Sequence, residues 1–210
     1  MRLFGALAVL LLVTTASAPA AERFAPLAPD KMTPEQKKVA DDIVSGPRKS
    51  LSGPFNAWLR SPQLADRLQR VGEYLRFHSS VPARLNEFAI LITARQWTAQ
   101  YEWYAHYPLA IKAGLDPRIA AELGAGRRPE GMADDEAIVY DFCLALHRGG
   151  TISDTIFDAA VAKLGEQGVA DLIAVNGYYD LVAMTLNAGN VQVPAGVQPP
   201  LAPGHALETR

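Results

Sequence analysis

Three times in this chain a residue able to cap a helix stands directly before a proline: Thr33-Pro34, Ser61-Pro62 and Asp116-Pro117. Proline holds φ near the helical value, and the N–H it lacks is one that a first turn leaves unbonded. The preceding side-chain oxygen can accept from the first-turn N–H groups that remain open. Each pair therefore predicts a helix start, and the residues that follow agree. Gln36 completes a capping box with Thr33, and Val39, Ile43 and Val44 supply an apolar stripe that Gly46-Pro47 ends. After Pro62, Leu64, Leu68, Val71, Leu75 and Phe77 recur at helical spacing. Asp116-Pro117 opens a short helix ending near Gly124.

The segments without that signature read the same way. A short element spans Phe55 to Leu59. Ser79 or Ser80 with Pro82 starts a helix whose Leu85, Phe88, Ala89, Leu91 and Ile92 cover a broad face, which predicts burial. Thr98 is the expected cap of the next helix, with Gly114 past its end. Asp134-Asp135-Glu136 places acids where a first turn favours them, in a helix running to about His147 and stopped by Gly149-Gly150. Ser153 caps a helix carrying Ile156, Phe157, Ala160 and Leu164, and a last helix covers residues 169–186, capped by Asn187-Ala188-Gly189. No segment shows the strict alternation of a strand. The expectation is an all-α domain of about seven to eight helices over residues 33–193, preceded by an extended arm at 21–32 and followed by a flexible Pro/Gly-rich tail at 194–210.

Residues 1–20 read as an export signal: Arg2, then an apolar run from Leu3 to Val13, then small residues to Ala20. The run has signal-peptide length and is short for a bilayer span. Cleavage near Ala20 and a periplasmic location are expected, with no stable membrane insertion afterwards; a retained anchor is the other reading. The formal net charge is −2 and no stretch is strongly basic, which excludes the electrostatic footprint of a nucleic-acid binder. The single cysteine, Cys143, excludes an internal disulfide, a CxxC pair and a thiolate-rich zinc site, and its apolar surroundings predict an inert buried thiol.

Chemistry-bearing residues concentrate in the most apolar part of the chain. They are Glu87, Glu102 and His106, the last two four residues apart and so on one helix face. Trp97, Tyr101, Trp103, Tyr104 and Tyr107 surround them in sequence. A carboxylate and an imidazole in an aromatic-walled pocket form a workable acid/base site. A solvated Glu–His pair beside ordinary core aromatics is the bland alternative. Glu87, Glu102 and His106 are metal-ligand types without a recognised ligand spacing, so no metal and no cofactor are expected. His147, beside Arg148 at a helix end, reads as a favourable charge for the helix dipole. Tyr178, Tyr179, Leu181, Val182 and Leu186 form an apolar face that is either core or a subunit contact.

Three stretches resemble the carboxymuconolactone decarboxylase family, whose relatives include the alkylhydroperoxidase D proteins. They are RLNEFAILITAR at 84–95, QYEWYAHYPLAIKAGL at 100–115 and NGYYDLVAMTLNAGNVQVP at 176–194. The resemblance covers about residues 50–193. It implies the alkylhydroperoxidase D-like helical fold, homo-oligomers (trimers or hexamers), and a site near subunit contacts. The peroxidase branch carries a Glu, then a CxxC pair, then a His. Counted from Glu87, the two cysteine positions fall on Ala99 and Glu102 and the His position on His106. Thiol peroxide chemistry of the peroxiredoxin type is therefore disfavoured. The decarboxylase branch implies cofactor-independent acid/base chemistry, a lyase or isomerase acting on a small carboxylated lactone or aromatic-derived acid. On that reading His106, Glu102 and Glu87 are catalytic: His106 moves a proton, Glu102 orients it and Glu87 supports it. Tyr101, Trp103, Tyr104 and Arg95 bind the substrate. A non-catalytic small-molecule binding protein is the alternative from another class.

Overall fold

A computed structural model describes residues 21–202. Among them the chain forms eight α-helices and no strand, which meets the all-α expectation. They are α1 (Pro34–Ser45), α2 (Phe55–Trp58), α3 (Pro62–Phe77), α4 (Ala83–Gln96), α5 (Gln100–Lys112), α6 (Pro117–Gly124), α7 (Asp134–Arg148) and α8 (Asp154–Gly189). The expected export segment, residues 1–20, lies outside the described residues.

Most helix starts follow the local chemistry. Thr33 Oγ1 accepts from Gln36 N at 3.2 Å while Gln36 Oε1 accepts from Thr33 N at 2.9 Å. Asp116 accepts from Arg118 N at 2.8 Å. At Ser61 the proline acts alone, since the serine makes no capping bond. Two starts differ because a tertiary partner competes for the cap. Ser80 turns to α8, giving Asp171 hydrogen bonds from its N (2.8 Å) and Oγ (2.7 Å), so α4 begins after Pro82 without a side-chain cap. The residue capping α5 is Ala99 rather than Thr98, which takes a positive φ of 48° in the turn before it. The two helices expected after Ser153 run as one element broken at Gly165, whose φ of 71° and ψ of 170° suit glycine. Its C-cap is Asn190, left-handed at φ 52°, one residue past the expected Gly189.

Helix α4 is the axis of the bundle, packed against α5, α6, α7 and α8. Every residue from Leu85 to Arg95 is buried, as its broad apolar face predicts. Helix α3 buries only part of its apolar stripe: Leu75 is buried and Leu68 packs partly against the core, Leu64, Val71 and Phe77 are exposed, and Ala65, Gln69 and Gly72 complete the inward face. The small Ala65 and Gly72 let α3 lie close to its neighbours, which the apolar spacing alone does not weigh. The N-terminal arm is tied to the end of α8 through Arg23 N to Gly189 O at 2.8 Å. Residues 194–202 lack regular structure but are held: Leu201 is 2% exposed, and Gln100 exchanges two 2.8 Å hydrogen bonds with its backbone. Helix α8 is long and apolar enough to cross a membrane by length and composition, and over half of its most apolar window is inside the protein.

Candidate acid/base site

Burying α4 from Leu85 to Arg95 buries the polar side chains in that stretch as well, and each must find a partner within the protein. Asn86 donates to Leu75 O at 3.1 Å, Thr93 to Ala89 O at 3.1 Å, and Arg95 to Ala202 O at 3.2 Å. The partner of Glu87 is His106 on α5: Glu87 Oε2 lies 2.7 Å from His106 Nδ1. Both side chains are close to fully buried. With Glu87 ionised, Nδ1 carries the proton and Nε2 is left as the nitrogen free to meet a ligand. The Tyr179 ring packs against the imidazole in a T-shaped arrangement, at 84° with ring centres 5.0 Å apart.

His106 lines a cavity of about 90 Å³ between α5 and α8, together with Glu102, Tyr178, Tyr179, Arg48 and Arg76. Tyr101, Ser52 and Gly53 are also in its wall. Glu102 is 1% exposed, and neither carboxyl oxygen has a hydrogen-bond partner. Burial, with the field of Asp180 adding to it, pushes its pKa well above the ordinary carboxylate value and favours the neutral acid. Burial also raises the phenols, Tyr178 to about 12 and Tyr179 well above its usual value, so both remain donors. The two acids thus differ sharply: Glu87 is hydrogen-bonded to an imidazole, whereas Glu102 is an unpartnered acid facing the cavity.

The structure brings Glu87, Glu102, His106 and Tyr101 together, with two corrections to the roles expected. The carboxylate that holds His106 is Glu87, not Glu102. Helix spacing put Glu102 on the right face, but the side chain across the α4–α5 contact makes the bond. The expected aromatic wall also divides. Trp103 and Tyr104 line a separate groove of about 700 Å³ with Tyr107 and Pro108. Trp97 is exposed and donates to Asp180 at 2.6 Å. On a helix, residues 101, 102, 105 and 106 share one side while 103, 104 and 107 turn to the other. Arg95 is drawn to the C-terminal segment rather than the cavity. Tyr178, Tyr179, Val182 and Leu186 are buried within the chain and line the same cavity, so these residues of the α8 face serve as core and site wall, with Leu181 partly buried beside them.

Sequence reasoning missed Arg48 and Arg76. Arg48 follows a Gly-Pro break and Arg76 sits in a last helical turn, positions where arginine reads as solvated or as a helix-dipole partner. No local signal distinguishes them.

A second polar cluster is buried among α4, α7 and α8. His147 Nδ1 lies 3.5 Å from Asp180 Oδ1, and its Nε2 lies 3.3 Å from Thr93 Oγ1. The ring is buried rather than solvated at a helix end, and burial lowers its pKa despite Asp180. Cys143, fully buried beside Asn176 (Nδ2 to Sγ 3.3 Å), has its thiol pushed up to about 12 by burial. None of these side chains lines the cavity holding His106. Among the described residues, no three His, Cys, Asp or Glu side chains are grouped so as to hold a metal ion. No protein-family model, curated protein or solved structure matches this chain.

Proposed function

We propose that this protein is a cofactor-independent acid/base lyase or isomerase of the carboxymuconolactone decarboxylase type, acting on a small carboxylated substrate in the cavity beside His106. One observation carries the reading: a carboxylate-held imidazole and a buried, unpartnered carboxylic acid open onto the same small space. Glu87 is a positioning residue. It fixes the ring through Nδ1 and favours the imidazolium that forms when Nε2 takes a proton. His106 Nε2 is the base that removes a proton from a carbon next to a carbonyl, or the acid that returns one. Glu102, kept neutral by burial, donates a hydrogen bond to the oxygen on which enolate charge develops, and the Tyr179 phenol is a second donor in the same wall. In a decarboxylation the electrons of the breaking C–C bond remain on the α-carbon as enolate, neutral CO₂ leaves, and His106 supplies the proton that quenches the carbon.

The peroxiredoxin-type alternative finds no support in the thiol: the one cysteine is buried, inert and outside the cavity. Export to the periplasm and trimeric or hexameric assembly belong to the same proposal. The test is α-proton exchange in D₂O, or CO₂ release, across a panel of small carboxylated lactones and keto acids. A turned-over substrate gives a bell-shaped pH–rate profile. His106→Gln abolishes turnover with helical circular dichroism unchanged; undiminished turnover in that variant refutes the mechanism.

A further inference from the structure

The acid/base reading uses one end of the cavity. The other end carries two guanidinium groups, and the carboxylate whose field reaches Arg48, Glu73, makes no ion pair with it. Arg48 and Arg76 both line it, and neither forms an ion pair with a carboxylate among the described residues. Each guanidinium lies over an aromatic ring, Arg48 at 4.9 Å from the Phe55 ring centre and Arg76 at 5.1 Å from that of Phe77. Arg48 Nη2 and Arg76 Nε are buried with no hydrogen-bond acceptor. Burying a guanidinium nitrogen without an acceptor is costly, and two in one cavity of a folded chain point to a ligand that satisfies them. Glu102, the acid in the same wall, does not serve: its oxygens are equally unpartnered.

We propose that Arg48 and Arg76 form an anion subsite that holds a carboxylate which the substrate keeps throughout the reaction. The neighbouring groups fit that role. The phenols of Tyr178 and Tyr179 are donors in the same wall, and Ser52, whose Oγ accepts from Ser50, keeps its own O–H to donate. A guanidinium fork matches a carboxylate in two parallel hydrogen bonds. The cavity of about 90 Å³ takes up the volume of roughly three water molecules, which suits a carboxylate on a short carbon stem. Ser52, Gly53 and Tyr101 also line an outer cleft of about 430 Å³, where the bulk of a larger substrate lies.

That the carboxylate is retained rests on the acid/base reading, by a charge argument. A carboxylate departing as CO₂ leaves its negative charge on carbon. Two guanidinium groups stabilise that charge on the starting carboxylate and so oppose its departure. The arginine-held group is therefore the anchor. A lyase substrate here carries two anionic groups, and an isomerase substrate at least one.

Calorimetric titration of the full chain at constant ionic strength tests the subsite. The probes are malonate, its neutral isostere malonamide, and inorganic phosphate. Malonate binds and malonamide does not. Arg48→Met and Arg76→Met each weaken malonate by about tenfold or more, the loss expected for a charged hydrogen bond. Arg48→Lys and Arg76→Lys, which keep the charge and much of the packing, retain part of the affinity. Equal binding of malonamide, absence of malonate binding, or full affinity in both methionine variants overturns the subsite. Tighter binding of phosphate than of malonate overturns its assignment to a carboxylate. Arginine-dependent malonate binding without turnover of any substrate leaves the subsite standing and removes the acid/base mechanism. Turnover that both methionine variants preserve does the reverse.

Discussion

Glu102→Gln separates stability from chemistry at this site. In the unfolded chain the Glu102 carboxyl titrates near 4.5; in the folded protein burial holds its proton to well above that value. Between the two values the folded state binds more protons than the unfolded state, so stability falls as pH rises. The slope approaches about 1.4 kcal/mol per pH unit and ends once the folded value is passed. Glutamine fills nearly the same volume and carries no charge at any pH, so it removes that slope. The parent and variant run parallel below pH 4.5, and the variant gains on the parent above it. For a chain of this size each pH unit of the window corresponds to roughly 3–6 °C in melting temperature. His147 contributes a slope of opposite sign. Its folded value is depressed, so its share of stability is fully present above 6.5 and is lost as pH falls below that. It does so equally in both proteins and cancels in the difference. The assay is urea denaturation of both proteins from pH 4 to 8, with m-values compared so that a changed unfolded state is not mistaken for stability. A difference that does not vary with pH means that Glu102 is solvated, and the neutral acid assigned to the site falls with it. The same variant loses the acid proton and turns over more slowly while folding more tightly.

The remaining predictions concern other parts of the structure. Gly72→Ala replaces glycine in the middle of α3, which alone favours the helix by about 1 kcal/mol. The added Cβ, however, would lie 2.2 Å from Tyr178 Oη and 2.9 Å from Arg48 Nη2. The expected outcome is net destabilisation on melting and loss of malonate affinity; a stabilised variant with full affinity contradicts the packing. Asp171→Asn disturbs the carboxylate that accepts from Ser80 N, Ser80 Oγ and Tyr74 Oη, and it costs about 1–3 kcal/mol by denaturant titration. Burial opposes the charge of Asp171 but these hydrogen bonds outweigh it and lower its pKa, so its contribution is present above pH 3.8 and lost as pH falls through the depressed value. Cys143 resists Ellman's reagent in the native protein and reacts only on unfolding, because its thiol is buried and raised to about 12. Expressed with residues 1–20 in a bacterium with a periplasm, the chain is recovered there with Ala21 as its N-terminus, read by intact-mass measurement; a cytoplasmic, uncleaved product refutes the export reading.

How much of the molecule was legible depends on the range over which each feature is decided. The starts of α1 and α6 are settled within three residues, by an oxygen accepting from a nearby N–H and a proline fixing φ. Such short-range terms are readable from adjacent letters. The burial of α4 was equally plain, because a helix apolar over a broad face has nowhere else to go. Where a distant partner competes, local reading failed. Ser80 looks like a cap until Asp171, 91 residues on, takes both its donors.

The site divides along the same line. The sequence by itself determined that Glu102 and His106 share a helix face and that Glu87 lies on the helix before, since 3.6-residue periodicity is a property of the backbone. It could not determine which acid reaches the imidazole. That depends on how α4 and α5 cross, and the crossing puts Glu87 against Nδ1 and leaves Glu102 facing a cavity. Nor could it single out Arg48 and Arg76, two ordinary arginines in a loop and a last turn. Only the packing of the bundle buries one guanidinium nitrogen of each without an acceptor. Charge becomes informative when burial leaves it unanswered, and burial is a property of the assembled bundle.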